Sequence, residues 1–386
     1  MLINEKKKIF SCNDFELEIK RETDLEYQIT YPSDVKVKAI VFIIAGFGAD
    51  TNSQYMDKLR EYTAETYSVV AVNVFYHCFY ARPGNKTSLQ FDDLDIGHLK
   101  SVIKEFNIDF SDVNEITKEA VLSKLRAENK KIKISMTMVP DNNEYQNFGI
   151  MQAIDHLNVL KDLYQNLNLC NIPVICFGSS HGAYIAHMMS KISPHSIDHI
   201  VDNSSYVRPP LAYVVGKETN INEPEFILND EKLILHCFVQ SYWNTDINSK
   251  YCFSKDRKWI RDLSNKEHIA IMSKIGNKKT SYTIYHSEFD GIAPIVEKES
   301  FCSNLSEYGF DVTLHRIGKD DVDGRFIKST QHGLDMSIKE LVKRELPSII
   351  QNFKVKATKA EEIVYKCDTL NYVFNIDNSI YKTVKL

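Results

Sequence analysis

Apolar runs of strand length and helical periodicities alternate along this chain in a regular order. The first long run, VKAIVFIIAGFGAD (37–50), is almost continuously apolar and ends in glycines. A strand buried on both faces of a parallel sheet has that pattern. SQYMDKLREYTAET then carries helical periodicity, and YSVVAVNVFYH (67–77) reads as a second buried strand. The order repeats: NFGIMQAIDHLNVLKDLYQNL (147–167) is spaced as a helix and NIPVICFG as a strand. HGAYIAHMMSKIS is spaced as a helix that Pro194 stops, and IDHIVDNSSYV (197–207) as a strand. SYTIYHSEFDGIAP, a helix and FDVTLHRI continue it. Such β-α-β-α alternation predicts an α/β fold with a mostly parallel central sheet and helices on both faces. Ahead of it, FELEIKRETDLEYQITYP alternates polar and apolar residues across a polar turn, which predicts an antiparallel pair.

Two stretches interrupt the rhythm. Residues 80–142 are polar and contain one helical piece, ITKEAVLSKLRAENKK; residues 208–266 open with RPP and hold both tryptophans, Trp243 and Trp259. Structureless loops of that length are unusual in compact domains, so both read as folded insertions. The aromatic-rich 208–266 segment is expected to be a helical cap over a ligand pocket, since such pockets favour aromatic walls. The expected division is a core of 1–207 and 267–354, with an insertion at about 80–142, a cap at 208–266 and an extension at 355–386. The strand-like EEIVYKC and NYVFNI suggest a hairpin in that extension. No internal repeat is visible.

The 386 residues carry a net charge of -5, with basic clusters offset by acidic ones. A nucleic-acid partner normally calls for a basic surface, so none is expected. No run approaches a bilayer span, and MLINEKKKIF lacks the apolar segment of a secretory signal. The eight cysteines show no C-x-x-C spacing and suit reduced, buried thiols in a cytoplasmic protein.

The candidate chemistry centres on CFGSSHGAYIA, which lies between a strand and a helix and fits G-x-S-x-G with Gly178, Ser180 and Gly182. A serine lifted on a sharp strand-to-helix turn needs small residues two positions before and two after it. Ser179 would have Phe177 and His181 there, so the spacing selects Ser180. A serine nucleophile needs a base, and the base an orienting carboxylate. Asp290 follows an apolar strand at its carboxyl end, where α/β sites lie, and His332 follows the last core strand in STQHGLDMS. Glu288 and Asp202 are rival carboxylates. Oxyanion donors are expected from the backbone N–H of His181 and of Phe47 in AGFGAD, with Gly46 as the fallback. The His181 imidazole is expected to line the pocket rather than act as a base. His195 and His199 have i, i+4 spacing, but Pro194 and the lack of a third ligand argue against a metal site. Gly46-Phe47-Gly48 falls short of a dinucleotide fingerprint. No cofactor or metal is called for.

AGFGAD, GSSHGA, HSEFDGIAP and TQHG together resemble the α/β-hydrolase superfamily over about 37–207 and 281–350. That resemblance implies the fold and the roles of Ser180, His332 and Asp290. AGFGADTN and NEYQNFGIMQAIDHL resemble more narrowly an uncharacterised bacterial hydrolase-like family, some of whose members lie near surface-sugar and flagellar-glycosylation genes. GSSHGAY is also similar to serine oligopeptidases, although no propeller repeats occur here. The expected activity is that of a serine hydrolase on a small acyl ester, amide or thioester. The alternatives are an acyltransferase to a sugar or nucleotide-sugar, and a non-catalytic scaffold of the same shape.

Overall fold

A computed structural model describes residues 1–47, 53–81, 86–109, 117–128, 130–167, 169, 171–229, 232–275, 280–354 and 362–385. Gly48–Asn52, which complete the AGFGADTN stretch, lie outside the described residues. Two compact units are present.

The first unit, Met1–His77, Phe148–Pro209 and Ser254–Leu386, is built on an eight-stranded sheet. Its strands are β1 (Leu2–Ile9), β2 (Leu25–Pro32), β3 (Ile40–Ile44), β4 (Val70–Phe75), β5 (Val174–Ser179), β6 (His199–Asn203), β7 (Ser281–Ser287) and β8 (Val312–Ile317). In this numbering they stand in the order β1-β2-β4-β3-β5-β6-β7-β8. The pairs from β4 to β8 are all parallel, while β2 runs antiparallel to both β1 and β4. All residues of β3 are buried, so its continuous apolar run follows from helices covering both faces.

The helices that cover it are α1 (Ser53–Tyr67), α2 (Ile150–Leu167), α3 (His181–Ile192), α4 (Ile295–Glu307) and α5 (Ile338–Asn352). Val41, Ile43, Ile175 and Phe177 pack with Leu59 of α1 and with Leu341 and Leu346 of α5. The alternate residue Phe42 faces the other way, its ring 5.8 Å from that of His156 on α2. A period of two along the strands thus distributes one apolar run between two helical layers.

The antiparallel pair expected from FELEIKRETDLEYQITYP is only half present. Its second half is β2, but β2 pairs with Leu2–Ile9, not with FELEIK. Asp14 explains the difference: its carboxylate accepts the backbone N–H groups of Glu16 and Leu17 at 2.9 and 3.0 Å. That Asx turn competes with extension. The tail forms a three-stranded antiparallel sheet, Ile363–Lys366, Leu370–Asn375 and Ile380–Lys385, one strand more than a hairpin.

The second unit comprises Cys78–Asn147 and Pro210–Phe253. A four-stranded sheet organises it, in the order Thr87–Gln90, Ile132–Pro140, Leu233–Val239, Phe226–Asn229. The expectation of a helical cap is therefore corrected in its secondary structure. LILHCFVQ is rich in residues that favour strands, and Leu233–Val239 finds a parallel partner in Ile132–Pro140. The helix Lys255–Arg261, which carries Trp259, belongs to the first unit. No described helix is long and apolar enough to cross a membrane.

Candidate active site

Ser180 stands between β5 and α3 with φ 52 and ψ -119. This region is costly for a residue with a Cβ and is held only where its surroundings enforce it. The flanking glycines are part of that enforcement. A Cβ on Gly178 would lie 2.4 Å from the Ala183 backbone nitrogen in α3. One on Gly182 would lie 2.2 Å from the Ile44 carbonyl oxygen and 2.4 Å from that of Ala45. Gly178 thus lets the helix approach its own strand, whereas Gly182 lets it approach the end of β3. The Ser180 N–H donates to the Asn203 carbonyl at 2.7 Å, tying the turn to the end of β6.

Ser180 Oγ lies 2.7 Å from His332 Nε2, and His332 Nδ1 lies 2.8 Å from Asp290 Oδ2. A carboxylate only accepts, so Nδ1 carries the proton and Nε2 is free to accept from the serine hydroxyl. Asp290 follows β7, and its Oδ1 accepts the N–H groups of Ile292 and Ala293, both at 2.9 Å. Burial works against its ionisation. The bonds from His332, Ala293 and Ile292 outweigh that effect and hold the carboxyl below the usual carboxylate range. His332 sits on the loop between β8 and α5 with 18% of its side chain exposed, against 0% for Asp290. That loop is held by two strand ends. Asn203 Nδ2 donates to the Gly333 carbonyl at 3.0 Å, and Ser287 Oγ to that of Thr330 at 2.6 Å.

The rival carboxylates have other partners. Asp202 is buried and accepts from His187, Lys298 and Ser205 at 2.7 to 2.9 Å. Glu288 is exposed and pairs with Arg316 at 3.0 Å. Among the described residues, Ser179 Oγ accepts a long contact from Asn203 Nδ2, at 3.4 Å.

The AGFG loop closes on the elbow. A Cβ on Gly46 would lie 3.2 Å from the Ser179 carbonyl oxygen and 3.5 Å from Ser180 Cβ. The Phe47 ring meets the His181 imidazole edge-on at 5.6 Å. His181 is completely buried. Its Nδ1 is paired with the Tyr206 hydroxyl and its Nε2 with Gln152 Oε1, 3.1 Å away. Loss of hydration pushes its pKa down to about 3, so the imidazole is neutral at physiological pH. His199 Nε2 is paired with Thr283 at 2.9 Å. The described residues contain no cluster of three or more side chains suited to a metal.

Asn203, Ser287, Gln152 and Tyr206 were not singled out by sequence reasoning. Asn203 alone carried a local signal, a polar amide at the end of a buried strand.

A sharp serine turn between the fifth strand and the helix after it, a carboxylate after the seventh strand and a histidine after the eighth, on this strand order, are the layout of the α/β-hydrolase fold. More particularly, the chain belongs to the family described as "Protein of unknown function (DUF2920)", whose model matches residues 5–383. No curated protein matches the sequence. Solved structures with a similar course include an esterase from the fungus Rhizomucor miehei, at 13% identity and a TM-score of 0.45 over 92% of this chain and 86% of that one. The acylaminoacyl peptidase of Pyrococcus horikoshii is similar at 11% identity and TM-score 0.47, over 92% of this chain but only 43% of the peptidase. The bacterial brefeldin A esterase, a homologue of human hormone-sensitive lipase, is similar at 12% identity and TM-score 0.45, over 91% and 75% of the two chains.

Proposed function

We propose that this protein is a serine hydrolase that cleaves a small acyl ester, amide or thioester through a covalent acyl-serine. The observation that carries the reading is the unbroken hydrogen-bonded relay from Ser180 through His332 to Asp290, at 2.7 and 2.8 Å. In the first half-reaction Ser180 Oγ attacks the acyl carbon while its proton passes to His332 Nε2. Asp290 keeps the imidazole in its Nδ1–H tautomer and stabilises the imidazolium. The oxygen of the tetrahedral intermediate accepts from the backbone N–H groups of His181 and Phe47. Collapse breaks the bond to the leaving group, which takes the proton from His332 Nε2. In the second half-reaction His332 takes a proton from water, the hydroxide adds to the acyl carbon, and Ser180 leaves with that proton restored. A hydroxyl or amine acceptor entering in place of water makes the same cycle an acyl transfer. The described cysteines carry free thiols, which supports a reducing, cytoplasmic setting.

The test is fluorophosphonate labelling of the wild type and of Ser180→Ala, together with hydrolysis of p-nitrophenyl acetate. The expected result is stoichiometric labelling and turnover that both vanish in Ser180→Ala. Labelling and turnover that persist in the variant would overturn the reading, and a wild type inert in both assays would favour the scaffold alternative.

A further inference from the structure

Three buried side chains behind the elbow are more organised than a packing role requires. Gln152 Oε1 accepts the Gly149 N–H at 2.6 Å, and its Nε2 reaches the His77 carbonyl at 3.3 Å. Those two backbone partners fix which way the amide points, so its oxygen faces His181 Nε2. An amide oxygen can only accept, hence Nε2 carries the imidazole proton. Nδ1 is then an acceptor, and the Tyr206 hydroxyl supplies its donor. Gln152, His181 and Tyr206 are each buried. Both ring nitrogens are thus satisfied by neutral partners, consistent with the depressed pKa of this imidazole.

This ring is attached to the residue that follows Ser180. Besides Phe47, it packs against Phe148, with ring centres 5.1 Å apart. The two residues offered as oxyanion donors, His181 and Phe47, therefore meet through one side chain whose tautomer and orientation are fixed from behind. We propose that the His181 imidazole, clamped as its neutral Nε2–H tautomer by Gln152 and Tyr206, is a positioning group that holds both backbone donors of the oxyanion hole. The inference rests on the serine-hydrolase reading and adds Gln152 and Tyr206 to it. Donors aimed at a developing oxyanion act on the transition state far more than on bound substrate. Loosening the clamp should therefore lower kcat and leave KM nearly unchanged.

The experiment uses Gln152→Met, which retains length without an acceptor, and Tyr206→Phe, which removes only the hydroxyl. Both are assayed on p-nitrophenyl acetate beside the wild type and Ser180→Ala. The expected result is a fall in kcat on the order of 10- to 100-fold with KM within about 2-fold. Ser180-dependent wild-type turnover with both variants within about 2-fold of its kcat overturns the proposal and leaves the hydrolase reading intact. A raised KM at unchanged kcat overturns it equally. Wild-type turnover that does not depend on Ser180 overturns the hydrolase reading, and this assignment with it. A measurement on the wild type keeps the idea testable if a variant fails to fold. Nitrogen-15 NMR should find His181 neutral and protonated on Nε2 at pH 7, whereas the Nδ1–H tautomer or an imidazolium overturns the clamp.

Discussion

Ser180 and its two glycines illustrate how much a single position depends on what surrounds it. The 2.2 and 2.4 Å approaches from a Cβ on Gly182 are to backbone carbonyl oxygens of Ile44 and Ala45, which cannot swing aside as a side chain would. Gly182→Ala is expected to destabilise the fold by about 1–3 kcal/mol through overpacking, read as a lower urea midpoint, and to displace the elbow. Gly97 is the contrast: nothing lies within 4 Å of its Cβ position. Gly97→Ala in the helix Asp93–Phe106 should be neutral or stabilising by up to about 1 kcal/mol. Asp290→Asn keeps nearly the same shape but offers His332 an amide in place of a carboxylate. A fall in kcat of roughly 10³- to 10⁴-fold is expected, with little change in the urea midpoint if the loop holds its place.

At the scale of elements, the C-terminal sheet depends on groups that lie far away in sequence. Glu16 sits in the turn that replaced the expected strand. Its carboxylate meets Arg261 at 2.9 and 2.5 Å and accepts from Tyr372 of the C-terminal sheet at 2.8 Å. Arg261 is completely buried. Glu16→Ala would leave that guanidinium without its counter-charge, and a loss of about 3–5 kcal/mol is expected in urea unfolding. Glu16→Gln, which retains an acceptor for Tyr372, should lose less. The same stretch shows where local pattern misleads. FELEI alternates as a strand does, but an aspartate just before it and a buried arginine partner reward a turn instead. Leu2–Ile9 carries three consecutive lysines, a weak strand signal, yet it supplies the edge of the sheet because β2 needs a partner there.

On the scale of the whole molecule, burial of histidines sets a pH dependence. Loss of hydration pushes His181 and His268 down to about 3 and His156, His199 and His286 to about 4. In the unfolded chain each titrates at about 6.5. Between those values the unfolded state binds more protons, so stability present above about pH 6.5 is lost as pH falls toward 4. The limiting slope is about 1.4 kcal/mol per pH unit for each such histidine. The urea midpoint should therefore be markedly lower at pH 5 than at pH 7.5, and a midpoint unchanged between them would contradict the burial of these rings. Strand and helix order and the mostly parallel sheet were legible in the chain itself, because periodicity is a local property, and glycine spacing, equally local, is what singles out Ser180 from Ser179 as the candidate. Asp290 was preferred to Asp202 and Glu288 for its place after an apolar strand, but its 2.8 Å approach to His332 is a tertiary fact, as are the places of Asn203, Gln152 and Tyr206 around the candidate site. Those depend on groups that meet only when β5, β6, β7 and the loop after β8 come together, and a linear pattern holds no record of that distance.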